Sequence, residues 1–270
     1  MVAPGWLSRH AADVPAGDDW LCDAERRVQH KLRLRRRRAD WRLGRWTAKC
    51  AVGAWLGIEP ELIAALRASD GAPEASLNGS PLPVSLSISH RAGRALAVVG
   101  PVSAAVGCDL ELIEPRSGAF VREWLDPAEQ RLVADHPVEG FTVFANAVWS
   151  AKEAATKVLR EGLRLNVRHA LVSLDGVDGD AGTDAGGWRG VRVDWRDGAS
   201  AAGWWRVEEP FVIVVLSDPP LGPPRPLCPA GQVQVLRALS PVPVLRTLDP
   251  PPEVPALSAP PAQQLLARTP

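Results

Sequence analysis

The prolines beyond residue 218 set the first limit on what this chain can fold into. From Pro219 the text runs PPLGPPRPLCPAG, and later SPVPVLRTLDPPPEVPALSAPP. Each proline removes an amide donor and fixes its own φ, so neither a helix nor a central strand tolerates this density. Residues 219–270 are therefore expected to form a mobile, partly extended, Pro-rich disordered tail. Folding is confined to about residues 1–218, enough for one large or two small domains. The chain is 46% hydrophobic, so it can bury a core.

Within that part the order of elements repeats. Arg26–Leu56 predicts one long helix, with Leu43, Trp46 and Cys50 at three-then-four spacing. Pro60–Arg67 predicts a second helix with proline in its first turn. LSISH (86–90) and RALAVVG (94–100) predict strands joined by a turn at Ala92-Gly93. SAAVGCDLELI (103–113) predicts another strand. Asp126-Pro127-Ala128-Glu129 has the pattern of a helix start, with Asp as cap and Glu at the third position. A helix follows over Thr142–Arg160, with Gly162 as a left-handed stop. LVSL (171–174), VRVDW (191–195), WWRVEE (204–209) and FVIVVLS (211–217) read as strands. The Gly- and Asp-rich link at 175–187 lacks the spacing of a calcium loop and reads as a hairpin connection. Helices then strands, twice over, predict an α+β protein of two similar halves. Their expected bounds are 1–102 and 103–218.

Charge and cysteine spacing exclude some functions. The 31 basic and 31 acidic side chains balance, which argues against a wholly basic nucleic-acid binder. Cys22, Cys50, Cys108 and Cys228 show no metal-binding spacing, so reduced and mostly buried thiols are expected. No apolar run reaches about 18 residues, and no basic start precedes an apolar stretch. The expectation is a cytoplasmic protein with no membrane partner.

Three groups of residues can carry chemistry. Asp109 and Glu111 lie two apart on a strand, so they share a face while Cys108 and Leu110 point inward. Adjacent carboxylates repel unless a cation or proton intervenes, and a hard divalent ion suits oxygen donors. Taken alone, the pair fits an ordinary acidic sheet edge better. Trp149, Glu153 and Lys157 follow at i, i+4 spacing and share a helix face. A surface ion pair is the plain alternative. The chain has only four lysines, Lys31, Lys49, Lys152 and Lys157, and two fall in this stretch. The third group is Ser87-Ile88-Ser89-His90, preceded by Asn78-Gly79-Ser80-Pro81. Histidine at a strand end can donate to a phosphate, or it can have no partner at all. Upstream, Arg26 to Arg45 is densely basic. It reads as a nucleic-acid patch, a phosphate-binding wall or a solvated helix face.

Taken in order, RRADWRLGRWTAK, NGSP, SISH, GCDLE and WSAKEAATK resemble the 4′-phosphopantetheinyl transferase superfamily. The length is similar to the single-chain type that activates surfactin and similar synthetases. The resemblance runs from about Arg26 to Leu165 and less clearly to Ser217. It implies that Asp109, Glu111 and Glu153 gather around one Mg²⁺, or Mn²⁺ in its place, which grips the pyrophosphate of coenzyme A. It implies that His90 meets the 3′-phosphate, that Gly79, Ser80 and Pro81 border the adenine, and that Ser89 belongs to the same site. Lys157 and Lys152 are assigned to the phosphates, and Arg38, Arg45 and Lys49 to further basic contacts. Asp109, Glu153 and Lys157 are the implied catalytic residues, with Glu153 as base. The implied partner is an apo acyl or peptidyl carrier protein, docked near Leu159 and Leu163, and the implied state is a monomer. Two other readings are weighed. One is a catalytically silent relative that binds coenzyme A or a synthetase. The other is a basic-helix nucleic-acid protein, which the neutral charge disfavours.

Overall fold

The structure is a computed structural model and describes residues 2–160, 167–175, 186–196 and 198–228. Its first half comprises β1 (Gly5–His10), α1 (Asp23–Lys31), α2 (Arg35–Leu56), β2 (Ile63–Arg67), β3 (Pro73–Leu77), β4 (Ser80–Pro81), β5 (Val84–Arg91) and β6 (Arg94–Pro101). The second comprises β7 (Ala105–Leu112), α3 (Gly118–Trp124), α4 (Pro127–Ala134), α5 (Val138–Val158), β8 (Ala170–Leu174), β9 (Arg189–Trp195), β10 (Ser200–Glu208) and β11 (Phe211–Asp218), with β12 (Arg225–Pro226) closing the described chain. The fold is α+β. One sheet has the order β12-β1-β6-β5, a second β7-β11-β10-β9-β8, and a third β2-β3-β4. Both halves belong to one unit, Met1–Gln234, whereas Val235–Pro270 lies outside the described residues.

Alternation along the central strands explains how both faces are buried. On β6, Ala97 and Val99 turn to the core beneath α2, while Leu96 and Val98 face a core shared between the sheets. On β11, Val212, Val214 and Leu216 meet the core beneath α5, while Phe211, Ile213 and Val215 join the shared core. A strand buried on both faces reads as a continuous apolar run, as FVIVVL does. Between the sheets, β5 and β7 lie side by side. Ser85 and Ser87 hydroxyls accept from the amides of Val106 (3.1 Å) and Cys108 (2.9 Å), so β7's outer edge is satisfied by side chains.

Several expectations need correction. The helix expected over 26–56 is two helices, broken at Leu32–Leu34. Arg38 reaches back and donates to the Leu32 carbonyl (2.9 and 3.3 Å), giving the end of α1 a partner that helix continuation would otherwise supply. The helix expected over 60–67 is a single 3-10 turn at Pro60–Leu62 followed by β2. Ile63 and Ala65 alternate inward there, and two-residue periodicity prevails. The last long helix starts at Val138 rather than Thr142. Its expected stop at Gly162, and the 176–185 part of the expected hairpin connection, lie outside the described residues.

The first ten residues of the expected tail are ordered. The amides of Gly222, Arg225 and Leu227 donate to the carbonyls of Val2, Pro4 and Trp6 (3.1, 2.9 and 2.8 Å). Non-proline donors recur where the edge of the first sheet offers acceptors, and an edge tolerates the intervening prolines. Leu227 packs into the core beneath α2, over Gly5, where a Cβ would lie 2.5 Å from its side chain. The remainder, 229–270, lies outside the described residues.

The halves share a buried bracket. Trp20-Leu21-Cys22-Asp23-Ala24-Glu25 opens α1 as Trp124-Leu125-Asp126-Pro127-Ala128-Glu129 opens α4. Trp46-Thr47-Ala48-Lys49 on α2 matches Trp149-Ser150-Ala151-Lys152 on α5. Lys49 Nζ lies 2.7 Å from Glu25 Oε2, and Lys152 Nζ lies 2.7 Å from Glu129 Oε2. Each glutamate also accepts from the amide three residues before it, closing a capping box. Its other oxygen accepts from a strand amide, Ala65 on β2 (2.9 Å) or Val172 on β8 (2.8 Å). Each lysine donates to a tryptophan carbonyl, Trp20 or Trp124. The tryptophans pair edge to face, Trp20 with Trp46 and Trp124 with Trp149, at 5.2 and 5.4 Å. Thus one polar knot ties two helices and a strand together in each half.

Candidate active site

Gly107 brings the second half's carboxylates together. A Cβ there would lie 2.0 Å from the Ala154 carbonyl and 2.8 Å from Val158, so only glycine lets β7 approach α5 this closely. Cys108 and Leu110 then point into the shared core, and Asp109 and Glu111 face the α5 side. Gly107→Ala should therefore destabilise the fold by roughly 2–3 kcal/mol and displace the site. Denaturant melts together with turnover would check it. Unchanged values would mean that α5 moves aside freely.

Asp109 is 4% exposed and fully engaged. Its Oδ1 accepts from Ser89 Oγ (2.8 Å) and Lys157 Nζ (2.9 Å), and its Oδ2 from Ser150 Oγ (3.0 Å). Lys157 also donates to the Cys108 carbonyl (2.7 Å). Burial alone would strip the charge from Lys157, but Asp109 and Glu153 outweigh it and hold its pKa above the usual lysine value. Glu111 accepts from Arg116 (3.0 Å) and lies 3.6 Å from Arg91. Arg116 is fixed by Asn146 Oδ1 (2.7 Å), and Asn146 is fixed in turn by the Glu114 and Thr142 carbonyls (both 2.8 Å). Glu153 stands on α5 between Ser150 and Lys157. No hydrogen bond or ion pair from the described residues engages its carboxylate.

Burial, then repulsion from Asp109, pushes both Glu111 and Glu153 above the ordinary glutamate range. Arg116 and Arg91 draw Glu111 back, and Lys157 draws Glu153 back. Carboxylates that raise one another form a cluster short of positive charge. The donors are all oxygen, the chemistry of a hard divalent ion. Among the described residues no three His, Cys, Asp or Glu side chains converge to hold an ion as they are placed. The donor chemistry fits such an ion.

The same shift has a consequence for stability. A carboxyl whose pKa is raised in the folded state binds more protons there than in the unfolded chain. Its contribution to stability is thus lost as pH rises through the window between the two values. In metal-free protein, Glu153→Gln should melt above wild type at neutral pH, and the difference should vanish below about pH 4. Thermal melts of both across pH would test this. Identical profiles would show that Glu153 is not under such strain.

Beside this cluster runs a cleft of about 560 Å³ that both halves line. Asp40, Trp41 and Arg45 come from α2, Asp70–Ala72 from the β2–β3 connection, Pro73–Ala75 from the start of β3, His90 from β5, Thr156 and Lys157 from the end of α5, and Arg160 from just beyond it. A second groove of about 700 Å³ adjoins it between α1, α2 and the end of β2, sharing Asp40, Trp41, Arg45, Arg67 and His90. The shared zone is cationic. Burial and the nearby Arg67 lower the Arg45 pKa to about 10. Arg45 Nη1 is buried without a hydrogen-bond partner among the described residues. Desolvation by the cleft walls holds His90 below the usual histidine value, with Lys157 and Arg45 acting the same way and Asp40 against them. An anion here would relieve the arginine repulsion and satisfy the orphaned donor.

The site residues expected from sequence divide into those the structure brings together and those it does not. Asp109, Glu111, Glu153, Lys157 and Ser89 share the cluster, and Arg45, Pro81, His90 and Lys157 line the cleft. Lys49 and Lys152 are fully buried in the two brackets and cannot touch a phosphate. Arg38 is committed to the Leu32 carbonyl. Gly79 and Ser80 sit at an exposed hairpin tip rather than in the cleft. Asn78 and Gly79 both have positive φ (50° and 82°), which a tight two-residue turn requires. Asp70–Ala75 occupies the cleft in their stead. Leu159 packs against the core beneath α5, and Leu163 lies outside the described residues. Sequence reading missed Trp41, Arg67, Ser150, Arg116 and Arg160. Ser150 was within reach, since it precedes Glu153 by three on one helix; nothing local marked the others.

No described helix is long and apolar enough to cross a membrane. No curated protein matches the chain. Residues 105–195 match the model of the 4′-phosphopantetheinyl transferase superfamily. The matched stretch begins with the first residue of β7 and ends with the last of β9, so it contains Asp109, Glu111, Glu153 and Lys157. The part of the chain that builds the carboxylate cluster is a domain of the 4′-phosphopantetheinyl transferase superfamily.

Proposed function

We propose that this protein moves 4′-phosphopantetheine from coenzyme A to a serine of an apo acyl or peptidyl carrier protein, releasing 3′,5′-ADP. Transfer of phosphopantetheine follows from the superfamily match. The observation that carries the finer reading is the meeting of opposites at Lys157. This side chain belongs both to the carboxylate cluster and to a cleft whose other end presents Arg45, Arg67 and His90. A polyanion in that cleft would lie against carboxylates, and only added positive charge reconciles the two.

Asp109, Glu111 and Glu153 would hold that charge as Mg²⁺, which supplies neutralisation of the pyrophosphate when bound. The chain's own groups do the rest. Arg45, Arg67 and His90 bind the remote phosphate. Lys157, oriented by Asp109 and the Cys108 carbonyl, keeps its ammonium and stabilises negative charge that develops on phosphoryl oxygens. Glu153, raised in pKa, receives the serine proton at its carboxylate, directly or through water. The serine oxygen forms a bond to the β-phosphorus, and the bond from that phosphorus to the bridging oxygen breaks, leaving with 3′,5′-ADP. We propose the halves 1–102 and 103–218 as the two walls of the site, and a monomeric, cytoplasmic enzyme.

Intact mass of an apo carrier protein, incubated with this protein, Mg²⁺ and coenzyme A, tests the reading. A gain of one phosphopantetheine that a chelator abolishes is expected. No gain across acyl and peptidyl carriers, with coenzyme A still bound, would leave a silent binding relative.

A further inference from the structure

Arg160 adopts left-handed backbone, with φ +56°. Residues with a Cβ, asparagine and aspartate excepted, avoid that region because Cβ meets the following carbonyl oxygen. The internal repeat shows what the position prefers. The spacing that relates Lys49 to Lys152 also relates Gly57, after α2, to Arg160, after α5. Gly57 has φ +72° and ends its helix in the ordinary way. The second half thus places an arginine where the first has glycine, and the contacts of its side chain can offset that backbone cost.

That side chain reaches the other half. Its Nε donates to Asp70 Oδ2 (2.8 Å), and its Nη2 to Glu74 Oε1 (2.9 Å) and Asp70 Oδ1 (3.4 Å). Asp70 is itself held by the Ala72 amide (2.9 Å). All three charged residues line the 560 Å³ cleft, as does the Gly71–Pro73 backbone between the two carboxylates. The guanidinium thus spans from the helix that carries Glu153 and Lys157 to the connection that walls the cleft in the first half.

We propose that Arg160 is a positioning residue for the coenzyme: its ion pairs with Asp70 and Glu74 tie the β2–β3 connection and the start of β3 to the end of α5 and so fix the width of the cleft. The proposal rests on the reading of that cleft as the coenzyme A site. Arg160 acts through the wall that it holds and does not itself touch phosphate. The two roles predict opposite signs. If Arg160 ligated a phosphate, neutralising Asp70 and Glu74 would free it and remove nearby negative charge, and binding would tighten. If it is a tie, the same change loosens the wall and binding weakens.

The experiment is calorimetric titration of the full chain with coenzyme A. It compares wild type, Arg160→Gly, the double variant Asp70→Asn/Glu74→Gln, and the triple combination, each with a thermal melt. Arg160→Gly should raise Kd roughly fivefold, as expected for a partly exposed bidentate pair, with no fall in Tm because glycine relieves the backbone. The double variant should match it, and the triple should lose nothing more, since all three act on one connection. Tighter or unchanged binding by the double variant overturns the proposal, as does an additive triple. Failure of wild type to bind coenzyme A would instead overturn the reading of the cleft, and the tie with it.

Discussion

Asp109→Asn should leave a folded protein that no longer transfers phosphopantetheine, with turnover down by at least about 10²–10³-fold. The substitution preserves shape, and the new amide can still meet Ser89 and Ser150 through their hydroxyls, each of which both donates and accepts. What disappears is the charge. Lys157 loses its counterion at 2.9 Å, and the oxygen cluster loses the only member that is almost completely buried. Buried charge of one sign left without its partner is costly, so Lys157 should shed its proton more readily and serve less well as an electrostatic anchor. Mass spectrometry of the carrier measures the loss, and a melting curve shows that it is not unfolding. Full turnover by a folded Asp109→Asn protein would remove this carboxylate from the chemistry.

The largest structural effect should come from Lys152→Met. The substitution is close in volume and leaves Glu129 buried without its cation. Removing one partner of a buried pair typically destabilises by about 3–5 kcal/mol, because the remaining charge stays desolvated. Burial already pushes the Glu129 carboxyl upward, and Lys152 is the chief force opposing that shift. Adding Glu129→Gln should recover part of the loss, since it removes the stranded charge while its amide oxygen can still accept from a backbone amide. Denaturant midpoints for the single and double variants check both statements. A single variant as stable as wild type would mean that water reaches the bracket.

These two predictions mark where sequence reading succeeds and where it stops. Two-residue strand spacing set a shared face for Asp109 and Glu111, and four-residue helix spacing one for Glu153 and Lys157, but only the family resemblance joined the four into one site. The buried roles of Lys49 and Lys152 were not legible. Both were assigned to basic contacts with the coenzyme, and only the tertiary fold reveals that a glutamate twenty-odd residues upstream closes on each. The signal existed, in the repeated Trp-Leu-x-x-Ala-Glu and Trp-x-Ala-Lys, but it shows only when the two halves are laid over each other. Gly79 misled for a different reason: glycine serves hairpin turns and ligand approach alike, and spacing does not separate them. The break at Leu32–Leu34 carries no glycine or proline, so nothing local announced it. Arg38 reaching back to the Leu32 carbonyl supports it, a contact that sequence spacing does not show.

The duplicated bracket also insulates chemistry from folding. Lys49 is followed by Cys50 and Lys152 by Glu153, so one half places a buried core thiol where the other places the carboxylate proposed as the base. Each half secures its helices with the adjacent lysine, and in the second half the neighbouring Glu153 makes no hydrogen bond or ion pair with the described residues that the scaffold would lose. Substituting Glu153 is then expected to change the chemistry of the site and still leave a chain that reaches its native state.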